Sequence, residues 1–246
     1  MLIPALVLLA GLALGGLLNV VVIRLPRERT LLGWPRCTRT REPLAWWQLL
    51  PLAGWLIQRG RARDGQPLHW IYPCLELLSA LSFLRLYQLY GLQPVFYYLA
   101  FVCVVLMVTG AIDWLHRSIY TFVILGGTLV VLVTAPLVGL DWRLALLGAL
   151  AGGFIFALFY LLARILFPGT GVAFGLGDVY LAIFIGAAVG LFNLGPALFY
   201  GMLMAGLASA GILIARRTGR STPTYIAYGS YLCLGVVFYI AFGNMR

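Results

Sequence analysis

Apolar residues run along this chain in blocks of bilayer-spanning length, broken by short segments rich in Arg, Gly and Pro. A helix needs about 20 predominantly apolar residues to cross the hydrocarbon core. Blocks near that length lie at 3–23, 73–91, 94–113, 119–138, 143–166, 179–194, 195–215 and 225–243. Only Asn193 to Pro196 separates the sixth from the seventh, so a tight turn is expected there. The pattern predicts an all-α polytopic membrane protein of about eight transmembrane helices, with a cytoplasmic loop region between helices 1 and 2. It divides the chain into a first helix at 1–23, an Arg-rich loop region at 24–72 and a seven-helix membrane core at 73–246.

Composition agrees with this reading. Of 246 residues, 63% are hydrophobic and 10% charged, against roughly 25% charged in soluble domains, which excludes a soluble globular protein. Every one of the 17 basic residues is Arg, and with 7 acids the formal charge is +10. Because these Arg residues cluster between apolar runs, they suit topology and lipid head groups rather than nucleic acid. With the N-terminus outside, fourteen Arg residues fall on the cytoplasmic side and only Arg85, Arg143 and Arg246 on the other. Both termini are therefore expected outside. The first run ends in Asn19 and Arg24 rather than at a small-residue cleavage site, so it reads as a retained helix. Leu44 to Gln58 is apolar but short, and it holds Pro51, two Gln and three Trp. That composition fits a segment on or dipping into the cytoplasmic leaflet, not a span.

Small residues pair at four-residue spacing in Gly11 and Gly15, Gly148 and Gly152, and Gly186 and Gly190, a spacing that lets helix backbones approach closely. Against this apolar background the acids stand out, because an ionisable group at membrane depth is costly to keep. Glu76 follows Pro73 at the start of the second apolar block, Asp113 ends the third, and Asp178 opens the sixth behind Gly175-Leu176-Gly177. All three fall at the cytoplasmic face in this topology. Two adjacent carboxylates that share one proton can hydrolyse a peptide, one activating water and the other polarising the scissile carbonyl. Asp113 and Asp178 are the candidates. Gly175 and Gly177 would let a substrate backbone come close, although an Asp after Gly is equally a common helix cap. His69 and His116 lack zinc-ligand spacing, Asp141 reads as a loop residue, and Asn19 reads as interhelical glue or a substrate contact.

Taken in order, several blocks resemble the type 4 prepilin peptidases, bacterial inner-membrane aspartic peptidases of the Gly-x-Gly-Asp group. Gly15 to Pro26 resembles the family's first-helix exit. Arg59-Gly60-Arg61 and Trp70 to Leu78 resemble the end of its cytoplasmic loop and the next helix. Ala111-Ile112-Asp113 resembles its first catalytic block, and Phe174 to Leu181, followed by Gly186-Ala187 and Gly190, its second. The resemblance implies that Asp113 and Asp178 form a catalytic pair within a peptidase core at 73–246. It also implies cleavage of type IV prepilin or pseudopilin leaders at the cytoplasmic border of the inner membrane, without a cofactor.

This sequence departs from the family pattern in informative places. Many members carry two Cys-x-x-Cys pairs that hold zinc in the loop. Here only Cys37 matches, Thr40 stands where its partner would be, and the second pair is lost around Ala62-Arg63-Asp64. One cysteine cannot build a structural zinc site, so no metal is expected. Members with that loop often also methylate the new N-terminus with S-adenosylmethionine, an activity the retained loop keeps open and the missing cysteines put in question. Tyr180 replaces the usual Lys after the second aspartate, and Tyr120-Thr121 stands where Pro-Asp is common. Asn19, Glu76 and Tyr180 are candidates for substrate contact or structural support. Two other readings are compatible with the residues, a catalytically silent assembly factor and a proton-linked transporter.

Overall fold

The computed structural model describes residues 2–28, 30, 33–36, 43–62, 65–166, 175–218 and 226–243. Cys37 lies outside these residues, so the structure says nothing of the zinc expectation attached to it. The described chain is built from helices, with only isolated bridges at Arg36 to Pro43 and Arg61 to Pro67. It divides into two units, Met1–Leu92 and Gln93–Arg246.

In the first unit, α1 (Leu2–Arg24) packs along α3 (Ile71–Tyr90). The small-residue pair on α1 explains how closely. A Cβ added to Gly11 would stand 2.8 Å from the Ala80 Cα, and one on Gly15 2.5 Å from the Glu76 Cα. Side chains would hold these backbones apart, whereas paired glycines let them meet. The helix at 71–90, grouped by the sequence pattern with the core, is thus the partner of α1 in this unit. Residues 44–58 form a single 3-10 turn at Trp46–Leu49 and the short helix α2 (Ala53–Ile57), far too short to cross a membrane.

The second unit contains α4 (Pro94–His116), α5 (Thr121–Thr134), α6 (Trp142–Leu166), α7 (Leu176–Arg217) and α8 (Tyr228–Phe242). Helix α4 is the most enclosed, with Val102, Cys103 and Leu106 fully buried, as expected of the central helix in a bundle. The α6–α7 seam is made by Gly148, Gly152 and Gly186. A Cβ on Gly148 would stand 2.9 Å from the Gly190 carbonyl carbon, and one on Gly186 3.0 Å from the Ala149 nitrogen.

The sixth and seventh expected helices form one run, α7, and its break lies at Gly190 rather than at Asn193 to Pro196. Gly190 has φ 74° and ψ 171°, a backbone conformation open to glycine and strained for other residues. Beyond the break, Asn193 donates its amide to the Val189 carbonyl at 3.2 Å and accepts from the Tyr239 hydroxyl at 2.8 Å. These bonds carry the chain through the kink, so Pro196 sits inside the second half of the helix.

Among the described residues five helices are long and apolar enough to cross a membrane: α1 with its following turn, α4, α5 with its following turn, α6 and the kinked α7. Helix α8 is apolar but has only 15 residues. Helix α3 is not among the five, since its 20 residues include Glu76, Ser79, Ser82, Arg85 and Gln88. Length and apolarity together define an all-α integral membrane protein.

Candidate functional site

Asp113 lies in the last turn of α4, where Arg117 takes a left-handed backbone (φ 53°) and donates its N–H to the Asp113 carbonyl at 2.8 Å. The chain turns there and the helix stops. The Asp113 side chain is buried, with 7% of its surface exposed. Its Oδ2 accepts two hydrogen bonds from Ser230, the backbone N–H at 2.7 Å and the hydroxyl at 2.9 Å. Ser230 is the third residue of α8, so its N–H is one of the helix-start donors that have no intrahelical acceptor. Asp113 therefore caps α8 from another helix.

Asp178 occupies the corresponding place on α7, as its third residue, and is also 7% exposed. Its Oδ2 accepts the Gly175 N–H at 3.1 Å. This is half of a capping box, in which the third residue's carboxylate reaches back to the residue before the helix. Helix capping, the common use of an Asp behind a Gly, is thus part of what the residue does. Among the described residues neither Asp113 nor Asp178 accepts a hydrogen bond at Oδ1.

Ile119 connects the two helix ends. A Cβ on Gly177 would stand 2.8 Å from the Ile119 Cβ, and one on Gly229 would stand 3.2 Å from the Ile119 Cδ1 and 3.0 Å from Asp113 Oδ2. Gly177 precedes Asp178 and Gly229 precedes Ser230, so the Ile119 side chain lies between the start of α7, which carries Asp178, and the start of α8, whose Ser230 holds Asp113. The carboxylates lie close enough to interact electrostatically. Two buried carboxyls that interact in this way disfavour being ionised together.

The other sequence candidates divide between this site and the first unit. Gly175 is exposed and serves through its N–H, while Gly177 is half-buried and packed against Ile119. Tyr180 is half-buried and makes no hydrogen bond among the described residues. Asn19 and Glu76 meet in the first unit, where Asn19 donates its amide to Glu76 Oε1 at 2.9 Å and to the Tyr72 carbonyl at 3.2 Å. Glu76 Oε2 accepts the Leu52 N–H at 2.7 Å, and Leu52 itself has φ 57°. Beside them lies a cavity of about 760 Å³, walled by Trp34, Trp55 and Tyr72 with Arg24, Asn19 and Glu76. Two enclosed polar atoms of that wall, Asn19 Oδ1 and Trp55 Nε1, lack a hydrogen-bond partner.

Sequence reasoning missed Ser230, Gly229 and Ile119. A serine at the start of an apolar block is unremarkable in composition, and its contact with Asp113 spans 117 residues. One signal was available, since Gly-Ser at the opening of the last block supplies free N–H groups.

The fold and this site define an all-α integral membrane protein with a buried pair of carboxyl groups. Residues 9–90 match the Bacterial Peptidase A24 N-terminal domain, and residues 100–214 match the Type IV leader peptidase family. The chain is 34% identical over 223 residues to the prepilin leader peptidase/N-methyltransferase of Myxococcus xanthus, covering 87% of this chain and 63% of that protein. Proteins of the same name from Bacillus subtilis and Dickeya chrysanthemi are 30% and 32% identical. The matches cover 90% of this chain and 90% of the first, and 92% of this chain and 88% of the second. No solved structure matches the chain. The chain belongs to the type IV prepilin leader peptidase family.

Proposed function

We propose that this protein is an aspartic endopeptidase that removes the N-terminal leader of type IV prepilins or pseudopilins. The reading rests on one observation above the others: two buried carboxyls within electrostatic reach, each held through Oδ2 and, among the described residues, each without a hydrogen bond at Oδ1. In the reaction one carboxylate takes a proton from a water, and the protonated partner donates a hydrogen bond to the scissile carbonyl oxygen. Water attacks the carbonyl carbon, and collapse of the tetrahedral adduct returns a proton to the leaving amine. The dyad ends as it began, with one shared proton. Arg distribution supports placing this chemistry at the cytoplasmic face of the bacterial inner membrane, with both termini outside.

The first unit supports a second activity on the same product, methylation of the new N-terminus. S-adenosylmethionine would supply a methyl group from a sulfonium, and the donor set fits it. The cavity volume lies in the usual range for a cofactor of that size. Trp34, Trp55 and Tyr72 line the cavity with aromatic rings of the kind that attract a cation, and Glu76 and the unpaired Asn19 Oδ1 offer acceptors to an amine.

Cleavage is tested by incubating the purified, detergent-solubilised protein with a type IV prepilin and reading the new N-terminus by mass spectrometry, with and without S-adenosylmethionine. Release of the leader supports the peptidase, and a methyl mass increment only with the cofactor supports the second activity. An intact prepilin across several substrates overturns the proposal.

A further inference from the structure

Ser230 makes more contacts with Asp113 than capping of α8 requires. Its backbone N–H alone makes the capping bond, at 2.7 Å to Oδ2. The hydroxyl adds a second contact to the same oxygen at 2.9 Å and lies 2.9 Å from the Gly110 carbonyl oxygen. Gly110 and Asp113 are one turn apart on α4, and Ser230 is buried against both.

We propose that Ser230 is the positioning residue of Asp113, resting on the peptidase reading above: it clamps Oδ2 so that Oδ1 is the oxygen that meets water and exchanges the dyad's proton. A carboxyl held at one oxygen by two donors from one residue cannot rotate to exchange its oxygens. Rate in such a site depends on holding reacting groups within a few tenths of an ångström of their working geometry.

The hydroxyl keeps its hold on Oδ2 through the reaction, with the Gly110 carbonyl as a second acceptor within reach. A serine hydroxyl carries a single hydrogen. While Asp113 is ionised, the hydroxyl donates to Oδ2. When Asp113 takes up the proton lost by water at Oδ1, Oδ2 carries no hydrogen and remains an acceptor, so the hydroxyl goes on donating to it. The backbone N–H keeps Oδ2 fixed through both states. No proton is gained or lost by Ser230 in this cycle. The ionisable groups around the pair are Asp178 on α7, Arg117 on α4, and Tyr228 and Cys233 on α8, and no hydrogen bond from Asp178 or Cys233 reaches Ser230 among the described residues.

The test compares Ser230→Ala and Ser230→Thr with the unaltered protein in steady-state cleavage of a prepilin, alongside thermal unfolding in detergent. The Ala variant keeps the N–H and loses the hydroxyl, and the Thr variant keeps both. Expected results are a fall in kcat of about tenfold to thirtyfold for Ala, the cost of one hydrogen bond to a charged group. KM should stay within about twofold, and Thr should recover kcat to within about threefold. Wild-type kcat in the Ala variant overturns the proposal. So does an equal loss in Ala and Thr, or a loss accompanied by a fall in melting temperature that Thr does not restore. An unaltered protein that cleaves no prepilin overturns the peptidase reading and this proposal together, whereas the other outcomes remove this proposal alone.

Discussion

Gly177 lies so close to Ile119 that a Cβ at position 177 would stand 2.8 Å from the Ile119 Cβ. The branched Ile119 side chain cannot swing away at its own Cβ, so the first turn of α7 must yield instead. That turn carries Asp178. Gly177→Ala is therefore expected to lower kcat for leader cleavage at least tenfold while costing about 1 to 3 kcal/mol of stability. Thermal unfolding beside cleavage kinetics checks this. Unchanged kcat would show that Gly177 has no part in setting the carboxylate.

The α6–α7 seam should tolerate even less. Gly148 and Gly186 each face backbone atoms of the other helix, which cannot rotate aside as a side chain can. Gly148→Val and Gly186→Val are expected to destabilise the second unit by several kcal/mol, more than the about 1 to 3 kcal/mol of ordinary overpacking, because the helices must separate. Melting temperature in detergent reads this directly, and values within a few degrees of the unaltered protein would contradict it.

Part of the molecule is legible in the sequence. Asp113 and Asp178 stand out because charge is rare in apolar blocks, and the glycine pairs at 11 and 15, 148 and 152, and 186 and 190 mark seams because close backbone approach requires small residues. Local pattern alone puts the break in α7 at Asn193 to Pro196, since proline is the strongest local breaker. The structure decides otherwise, with Asn193 tied within the helix to Val189 and across to Tyr239 on α8, and the bend falls at Gly190. Ser230 is illegible for a different reason. Nothing in a serine's neighbours states which carboxylate, 117 residues away, its hydroxyl will meet.

Asn19 and Glu76 separate the two proposed activities. Their hydrogen bond joins α1 to α3 beside the cavity in the first unit, while both aspartates belong to the second. Asn19→Leu and Glu76→Gln are expected to cut N-terminal methylation at least tenfold and to leave leader cleavage within about threefold. Mass spectrometry of the product resolves both events in one spectrum. Equal loss of methylation and cleavage would contradict this division.

Metal should not be needed for either activity. With Cys37 alone in place of the family's four loop cysteines, tetrahedral zinc lacks ligands. Elemental analysis of the purified protein is expected to find far less than one zinc per chain, and chelator treatment should leave cleavage unchanged. Stoichiometric zinc would contradict this account of the loop.

The central claim is that Asp113 and Asp178 act as a pair. Asp113→Asn and Asp178→Asn, each keeping its side-chain shape and an oxygen that can accept the bond now made by Oδ2, should be assayed separately for prepilin cleavage, with circular dichroism to show that the helices persist. Each substitution alone is expected to abolish cleavage, by at least about a thousandfold, as residues that act as a unit do. Cleavage at an undiminished rate in either variant would contradict the pairing.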